Sequence, residues 1–417
     1  MRIYNVQAPI SKSINATIQL NGSKSISNRV LIINALCGFQ IPIENLSNAD
    51  DTIFLQRILN SKESVLDAGA GGTTFRFLTA FLATQEGREV VLTGSERMQQ
   101  RPIKILVDAL NSLGADIAYE NQEGFPPLRI KGKKLKGGKI ALPANTSSQY
   151  ITALLLIAPT LEDGIEMELI GTIVSVPYIK MTLKIMEYFG VQSTFENNKI
   201  VVKGNSNYTP KPFFVEADWS AASYFYAMAI LAEQATLELK GLNDKALQGD
   251  SVIATIAKNF GITTTYSENK ILLKKESIPN FKHFEFDFIE CPDLAQTVIA
   301  FCAALGIEMD CRGLQTLRIK ETDRIAALDA ELQKLQLASL KEIETNLWHL
   351  HILKNKNVEN IFPSIKTYED HRMAMSIAPL ALRVGELLIE EPEVVTKSYP
   401  KFWEDLEKMG WQIKAAI

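Results

Sequence analysis

Leu113-Gly114-Ala115-Asp116-Ile117 ends an amphipathic run on a glycine and opens an alternating apolar strand, and the same junction returns along the chain. It recurs at Phe189-Gly190-Val191, Phe260-Gly261-Ile262, Leu335-Gln336-Leu337 and Met409-Gly410-Trp411, at intervals of 76, 71, 75 and 74 residues, with a fainter copy at Leu59-Asn60. Glycine lacks the Cβ that makes left-handed backbone costly, so it is favoured just past a helix; Asn is the usual second choice, and Gln336 breaks the rule. A period near 74 is longer than the roughly 20 to 50 residues of common solenoid repeats, so each unit reads as a small βα assembly, about six in the chain. Lys139-Ile140-Ala141-Leu142 and Ile200-Val201-Val202 predict strands, and the apolar runs Tyr150 to Ile157 and Ala221 to Ala232 predict helices. The fold class is mixed α/β. The polar, turn-rich stretch 204–212 lies near mid-chain and would leave three repeats on either side.

At 417 residues, 46% hydrophobic and 22% charged, the composition is that of a folded globular protein of two to three domains and excludes disordered or fibrous chains. Forty-four Lys and Arg against 48 Asp and Glu leave a net charge of −4, so no global basic field recruits nucleic acid or an anionic membrane. The longest uncharged stretch, Ile140 to Leu161, is broken by Pro143, Pro159 and a polar cluster, and the first residues lack the apolar core of a signal peptide. A cytoplasmic protein is expected. Cys37, Cys291, Cys302 and Cys311 form no C-x-x-C pair and read as reduced thiols. His349-x-His351 would share one strand face, but no Cys or carboxylate cluster accompanies it along the sequence, so no metal is implied.

Local anion sites are a different matter. Asn21-Gly22-Ser23-Lys24-Ser25-Ile26-Ser27-Asn28-Arg29 precedes an apolar run, placing Lys24 and Arg29 where a loop enters a helix and exposed amides favour an anion. It is not a P-loop, because Ser23 precedes the lysine. Asp67-Ala68-Gly69-Ala70-Gly71-Gly72-Thr73-Thr74-Phe75-Arg76 is a Gly-rich turn whose amides could approach a phosphate or carboxylate, although Thr74 spoils the dinucleotide fingerprint. Arg97 and Arg101 flank a short segment that Pro102 ends by starting the next helix. Ser147-Ser148-Gln149-Tyr150 and Val174-Ser175-Val176-Pro177-Tyr178 place hydroxyls before helices, where capping and ligand binding are compatible. In Lys320-Glu321-Thr322-Asp323-Arg324, helical spacing puts both cations on one face with Glu321 in reach of Arg324. Asp370 reads as an N-cap for His371 and Arg372, with Met373 and Met375 as core. Taken singly, these are also the marks of capped helices, tight turns and solvated salt-bridge ladders.

Taken in order, Gly22-Ser23-Lys24-Ser25, Asn28-Arg29, Gln100-Arg101-Pro102-Ile103, Ser147-Ser148-Gln149, Lys320 to Arg324 and Asp370-His371-Arg372-Met373-Ala374-Met375 resemble the EPSP synthase family of enolpyruvyl transferases, over essentially the whole chain. The resemblance implies two domains, each of three βαβαββ units in an inside-out, barrel-like α/β arrangement. Residues 1–20 and 217–417 would form the first and 21–216 the second, with the active site in the cleft between them. It implies transfer of the enolpyruvyl group of phosphoenolpyruvate to the 5-hydroxyl of shikimate 3-phosphate, without a cofactor or metal, by a monomer with no nucleic-acid or membrane partner. Shikimate 3-phosphate would be bound by Lys24, Ser25, Arg29, Ser147, Ser148, Gln149, Ser175, Asp293 and Lys320, with Tyr178 adjacent. Phosphoenolpyruvate would be bound by Lys24, Gly72, Arg101, Gln149, Arg324, Arg372 and Lys397. Asp293, in Glu290-Cys291-Pro292-Asp293, would be the base for the 5-hydroxyl, with Glu321 and Lys24 moving protons at the methylene carbon and the departing phosphate. Ala70 stands where many members have Asn, Thr316 where Asn is frequent and Phe77 where Pro is often found; these departures leave the cationic set intact. Transfer to a nucleotide sugar uses the same architecture, but the Lys24-Ser25 and His371-Arg372 contexts favour shikimate 3-phosphate. A noncatalytic anion-binding relative is the third reading, against which the retention of Lys24, Asp293, Glu321 and Arg324 speaks.

Overall fold

The computed structural model describes residues 2–144, 147–173, 176–353 and 364–416. Helices end and strands begin at the repeating junctions. Gly114, Gly190, Gly261 and Gly410 take φ of 104°, 90°, 82° and 90°, and Gln336 takes 55°, so it accepts the left-handed geometry despite its Cβ. Asn60 does not share it; it is simply the last residue of the Asp50–Asn60 helix.

The chain divides by contacts into two units, Gly22–Val215 and Met1–Asn21 with Glu216–Ile417. Within Gly22–Val215, the strands Val65–Asp67, Glu89–Thr93, Asp116–Tyr119 and Leu128–Lys131 form one sheet, in spatial order first, second, fourth, third. Gly138–Pro143, Ile165–Ile170, Ser193–Glu196 and Lys199–Val202 repeat that order. The first pair is parallel and the other two pairs are antiparallel, which is a βαβαββ unit: helices cross over between the parallel strands and a hairpin ends it. In the other unit His283–Asp287, Glu308–Arg312, Ala338–Glu344 and Leu347–Ile352 do the same. Its two remaining sheets borrow strands from the start of the sequence. Ser13–Gln19 runs parallel to Gln234–Lys240 as a first strand, and Ile3–Gln7 lies between Glu386–Glu390 and Gln412–Ala416 in the fourth-strand position. The expected sixth unit is reduced among the described residues to a two-stranded pair, Ile43–Glu44 with Phe213–Phe214.

Sheets alternate buried and exposed positions, as in the eBiBi pattern of Glu89–Thr93, whereas the central helices are buried all round. Trp219 to Ile230 is buried without interruption, as are Tyr150 to Ile157 and Ala295 to Ala304. A helix apolar on every face belongs inside. Each unit therefore keeps helices within and sheets without. Among the described residues no helix is long and apolar enough to cross a membrane.

Two local expectations need correction. Pro102 does not start a helix; the helix is Lys104–Ser112, because Ile103 is still non-helical at φ −134°. Lys320 to Arg324 is not one helical run: a 3-10 turn covers Gln315–Ile319 and Asp323 caps a new helix, Arg324–Lys334, so Lys320 and Arg324 meet through a turn.

Candidate functional site

In Gly22–Val215 the helices Lys24–Leu36, Gly72–Ala83, Ser148–Ile157 and Val176–Tyr188 pack on one another. None carries an acidic residue in its first turn, so none compensates the positive end of its own dipole. Ser23 caps the first by accepting from the Ile26 amide, and Lys24 then meets Asp51 at 3.1 Å. Ser25 supplies its carbonyl to Arg29 Nη1 at 2.7 Å. Arg29 is only 3% exposed; its Nε donates to Thr182 Oγ1 at 2.8 Å and its Nη2 to Thr152 Oγ1 at 3.3 Å. Burial pulls its pKa down to about 9, opposed by Tyr178, which leaves it a cation at neutral pH. Phe77, one of the departures from the family pattern, lies beneath it at 5.6 Å in a cation–π contact.

The Gly-rich turn has a reason visible in its neighbours. A Cβ on Gly72 would stand 2.6 Å from Nη1 of both Arg76 and Arg101, and one on Gly71 would stand 2.8 Å from Asp51 Oδ1. Glycine thus admits two guanidinium groups to a helix N-terminus. Arg76 donates to Gln149 Oε1 at 2.6 Å and lies 5.0 Å from the Tyr150 ring, while Gln149 Nε2 donates to Thr73. Arg101 is 7% exposed, and its Nε has no hydrogen-bond partner among the described residues. Ser147 caps the next helix by accepting from the Gln149 amide, and Ser148 is that helix's first residue. Ser175 lies outside the described residues. Ala70 is an exposed turn residue.

The other unit holds a charge network. Arg324, 2% exposed, donates from Nε to Asp370 at 2.6 Å, from Nη1 to Asp293 at 3.1 Å and from Nη2 to Glu321 at 2.8 Å. Burial opposes its charge, but the three carboxylates outweigh it and raise its pKa. Arg372 meets the second Asp293 oxygen at 3.1 Å, and Lys320 lies 3.8 Å from the first, its own pKa lowered chiefly by burial. Lys397 pairs with Glu321 at 3.0 Å. Asp293, Lys320, Glu321, Arg324, Arg372 and Lys397, scattered over more than one hundred positions, are therefore in mutual contact. Asp370 caps its helix as expected and also holds Arg324.

Sequence reasoning missed several participants. Asp51 compensates Lys24, Arg76 stands beside Arg101, and Tyr224 and Ser220 touch Arg372 at 3.4 and 3.5 Å. Asp250 accepts from Ser220 and is fully buried; burial, then Asp293, pushes its pKa up to about 7 against the pull of Arg372. Arg76 stands at i+4 from Gly72 in the Gly-rich segment, which is its signal; Tyr224 is one polar group in an apolar helix, and Asp51, Ser220 and Asp250 lie in or beside ordinary polar helix starts that carry no signal of their own. Thr316, the third departure, has its hydroxyl buried without a hydrogen-bond partner among the described residues. The histidine pair also differs from expectation. His349 and His351 do have carboxylates beside them, Asp310 and Glu308, supplied across the sheet rather than along the chain.

The family model for EPSP synthase (3-phosphoshikimate 1-carboxyvinyltransferase) matches residues 54–406. A 3-phosphoshikimate 1-carboxyvinyltransferase of Bacteroides fragilis (strain YCH46) is 47% identical over 413 residues, covering 99% of this chain and 98% of its own length. One from Haemophilus influenzae (strain Rd) is 35% identical over 435 aligned positions, covering 96% and 98%. The solved EPSP synthase of Acinetobacter baumannii superposes with a TM-score of 0.78 at 21% identity, covering all of both chains, which bears on the fold alone. A model match across most of the sequence, and full-length relatives well above 30% identity, make the chain a member of the EPSP synthase family.

Proposed function

We propose that the chain transfers the enolpyruvyl group of phosphoenolpyruvate to the 5-hydroxyl of shikimate 3-phosphate, giving 5-enolpyruvylshikimate 3-phosphate and phosphate for aromatic amino acid biosynthesis. The observation that carries this reading is Arg101. A guanidinium 7% exposed, its Nε without a hydrogen-bond partner among the described residues, is unfavourable unless an anion completes it, and it stands beside Arg76 at a helix N-terminus. Arginine suits a phosphate or carboxylate because its planar fork donates two parallel hydrogen bonds.

In this reading Lys24, Ser25, Arg29, Ser147, Ser148, Gln149, Ser175, Asp293 and Lys320 engage shikimate 3-phosphate. Lys24, Gly72, Arg101, Gln149, Arg324, Arg372 and Lys397 engage phosphoenolpyruvate. The 5-hydroxyl oxygen bonds to C2 of phosphoenolpyruvate as its proton passes to Asp293, and C3 takes a proton from Lys24 or Glu321. The tetrahedral adduct then loses a proton from C3 while the bond from C2 to the phosphate oxygen breaks. Asp293 is supported as base by its position: Arg324, Arg372 and Lys320 hold both its oxygens, and an arriving polyanion gives those cations a second partner. The same cations face the charge that develops on the adduct. Both sets of groups must act on one pair of substrates, so residues 1–20 with 217–417 and residues 21–216 act as cooperating domains of a monomer. Four thiols outside disulfides suit a reducing cytoplasm, and the net charge of −4 offers nothing to nucleic acid or membrane.

The test is phosphate release from phosphoenolpyruvate by the purified chain. Release that requires shikimate 3-phosphate and is not supported by a uridine-diphosphate sugar is expected; folded protein that releases none, or that accepts only the nucleotide sugar, overturns the reading.

A further inference from the structure

Three of the chain's four histidines stand on one face of one sheet. His283 begins the strand His283–Asp287, Glu308 and Asp310 lie on Glu308–Arg312, and His349 and His351 lie on Leu347–Ile352. Residues two apart on a strand share a face, and the register places Glu308 beside His283, and Asp310 between Glu285 and His349. One donor atom each from Glu308, His349 and His351 falls within 4.8 Å of the others, as do atoms from His283, Glu285 and Asp310. Asp310 joins the groups: Oδ1 is 2.7 Å from His349 Nδ1 and Oδ2 is 3.3 Å from His283 Nε2.

The repeats provide an internal comparison. Three other sheets of the same topology dress their outer faces with ordinary ion pairs: Arg129 with Glu120 and Glu89, Lys139 and Lys199 with Glu166, and Lys270 with Glu238. In this sheet imidazoles stand where Lys and Arg would. Unlike an ammonium or a guanidinium, an imidazole has a nitrogen lone pair that it can offer to a metal.

We propose that this face binds one divalent transition-metal ion of the Zn2+ class through Glu308, His349 and His351, with Asp310 as a positioning residue. Two imidazoles and a carboxylate suit Zn2+, Co2+ or Ni2+, whereas Mg2+ and Ca2+ require oxygen donors; that preference selects this trio over His283, Glu285 and Asp310. His349 Nδ1 lies 2.7 Å from Asp310 Oδ1; a carboxylate accepts, so the proton is placed on Nδ1 and the metal on Nε2, the arrangement usual behind metal-bound histidines. The ion would tie the second and fourth strands of the unit together, and by mass action would stabilise the folded chain.

The proposal is independent of the transferase reading, because its measure is metal binding. Calorimetric titration of chelator-treated full-length protein with Zn2+ is expected to give one ion per chain, uncontested by excess Mg2+, together with a rise in thermal midpoint. His349→Gln with His351→Gln should abolish it, Asp310→Asn should weaken it by about 10- to 100-fold, and His283→Gln should leave the stoichiometry unchanged. These side chains are on the solvent side of the sheet, so the fold is expected to survive; if the double variant unfolds, Glu308→Gln and the loss of Co2+ visible absorption decide instead. Stoichiometric binding that persists in the double variant, or in Glu308→Gln with an unchanged Co2+ spectrum, would overturn the assignment, as would the absence of Zn2+ binding by the unaltered chain.

Discussion

Arg101 and Arg324 are both buried guanidinium groups in the cationic set, and their surroundings separate stability from function. Arg324 is held by three carboxylates; its removal leaves the fully buried Asp370 without its arginine and takes one of their cations from Asp293 and Glu321, so it should cost about 3–5 kcal/mol, confounding any loss of turnover. Arg101 has no such partners among the described residues. Arg101→Met, which keeps the apolar stem and discards the charge, should leave urea stability unchanged or raise it by about 1 kcal/mol, because a desolvated and uncompensated cation is removed. Its KM for phosphoenolpyruvate should rise by at least about tenfold. Equal losses of stability for the two arginines would show that Arg101 is structural. Lys24, Arg324 and Arg372 were readable from sequence because each sits in a motif at a helix start, whereas Arg101 and Lys320 lie in turns and Lys397 ends a 3-10 helix. Asp51, Ser220, Tyr224 and Asp250 were not readable, because what makes them part of the site is burial beside a charge brought from 27 to more than 120 positions away.

At the level of elements, the helix-to-strand junction was the legible feature, since the left-handed residue is a local steric demand. Gln336 tests how strong that demand is. It holds φ 55° with a Cβ, against a preference of roughly 1–2 kcal/mol, while glycine would add unfolded-state entropy of roughly 0.5–1 kcal/mol. Gln336→Gly should therefore raise stability by up to about 1 kcal/mol. Gly261→Ala should go the other way and lose at least about 2 kcal/mol, because φ is +82° and its Cβ would meet the Ser277 carbonyl oxygen at 2.1 Å. Denaturant midpoints of the two variants moving in the same direction would refute the argument. Strand partners were less legible than junctions: Glu386, which Asn5 contacts, lies 381 positions away, and no local pattern encodes that pairing. The cross-strand carboxylates beside His349 and His351 were hidden for the same reason.

For the whole molecule, the consequence of borrowed strands is that the two units differ in how much sequence they need. Gly22–Val215 is continuous and contains every partner of its own sheets. Residues 216–417 lack Ile3–Gln7, which is hydrogen-bonded on both sides, and Ser13–Gln19, which closes the edge beside Gln234–Lys240. They also lack Val6, Ile14, Ile18 and Leu20, all at most 2% exposed in that unit's core. An unpaired sheet centre leaves backbone donors and acceptors unsatisfied and apolar faces open, so secondary structure can form without cooperative packing. A fragment of residues 22–215 should unfold cooperatively by itself. A fragment of residues 216–417 should show a broad transition, sharpened when a peptide of residues 1–21 is supplied in excess, with the midpoint rising with peptide concentration as expected for binding to the folded state alone. Cooperative unfolding of 216–417 at a midpoint indifferent to the peptide would mean that the borrowed strands decorate this unit rather than build it.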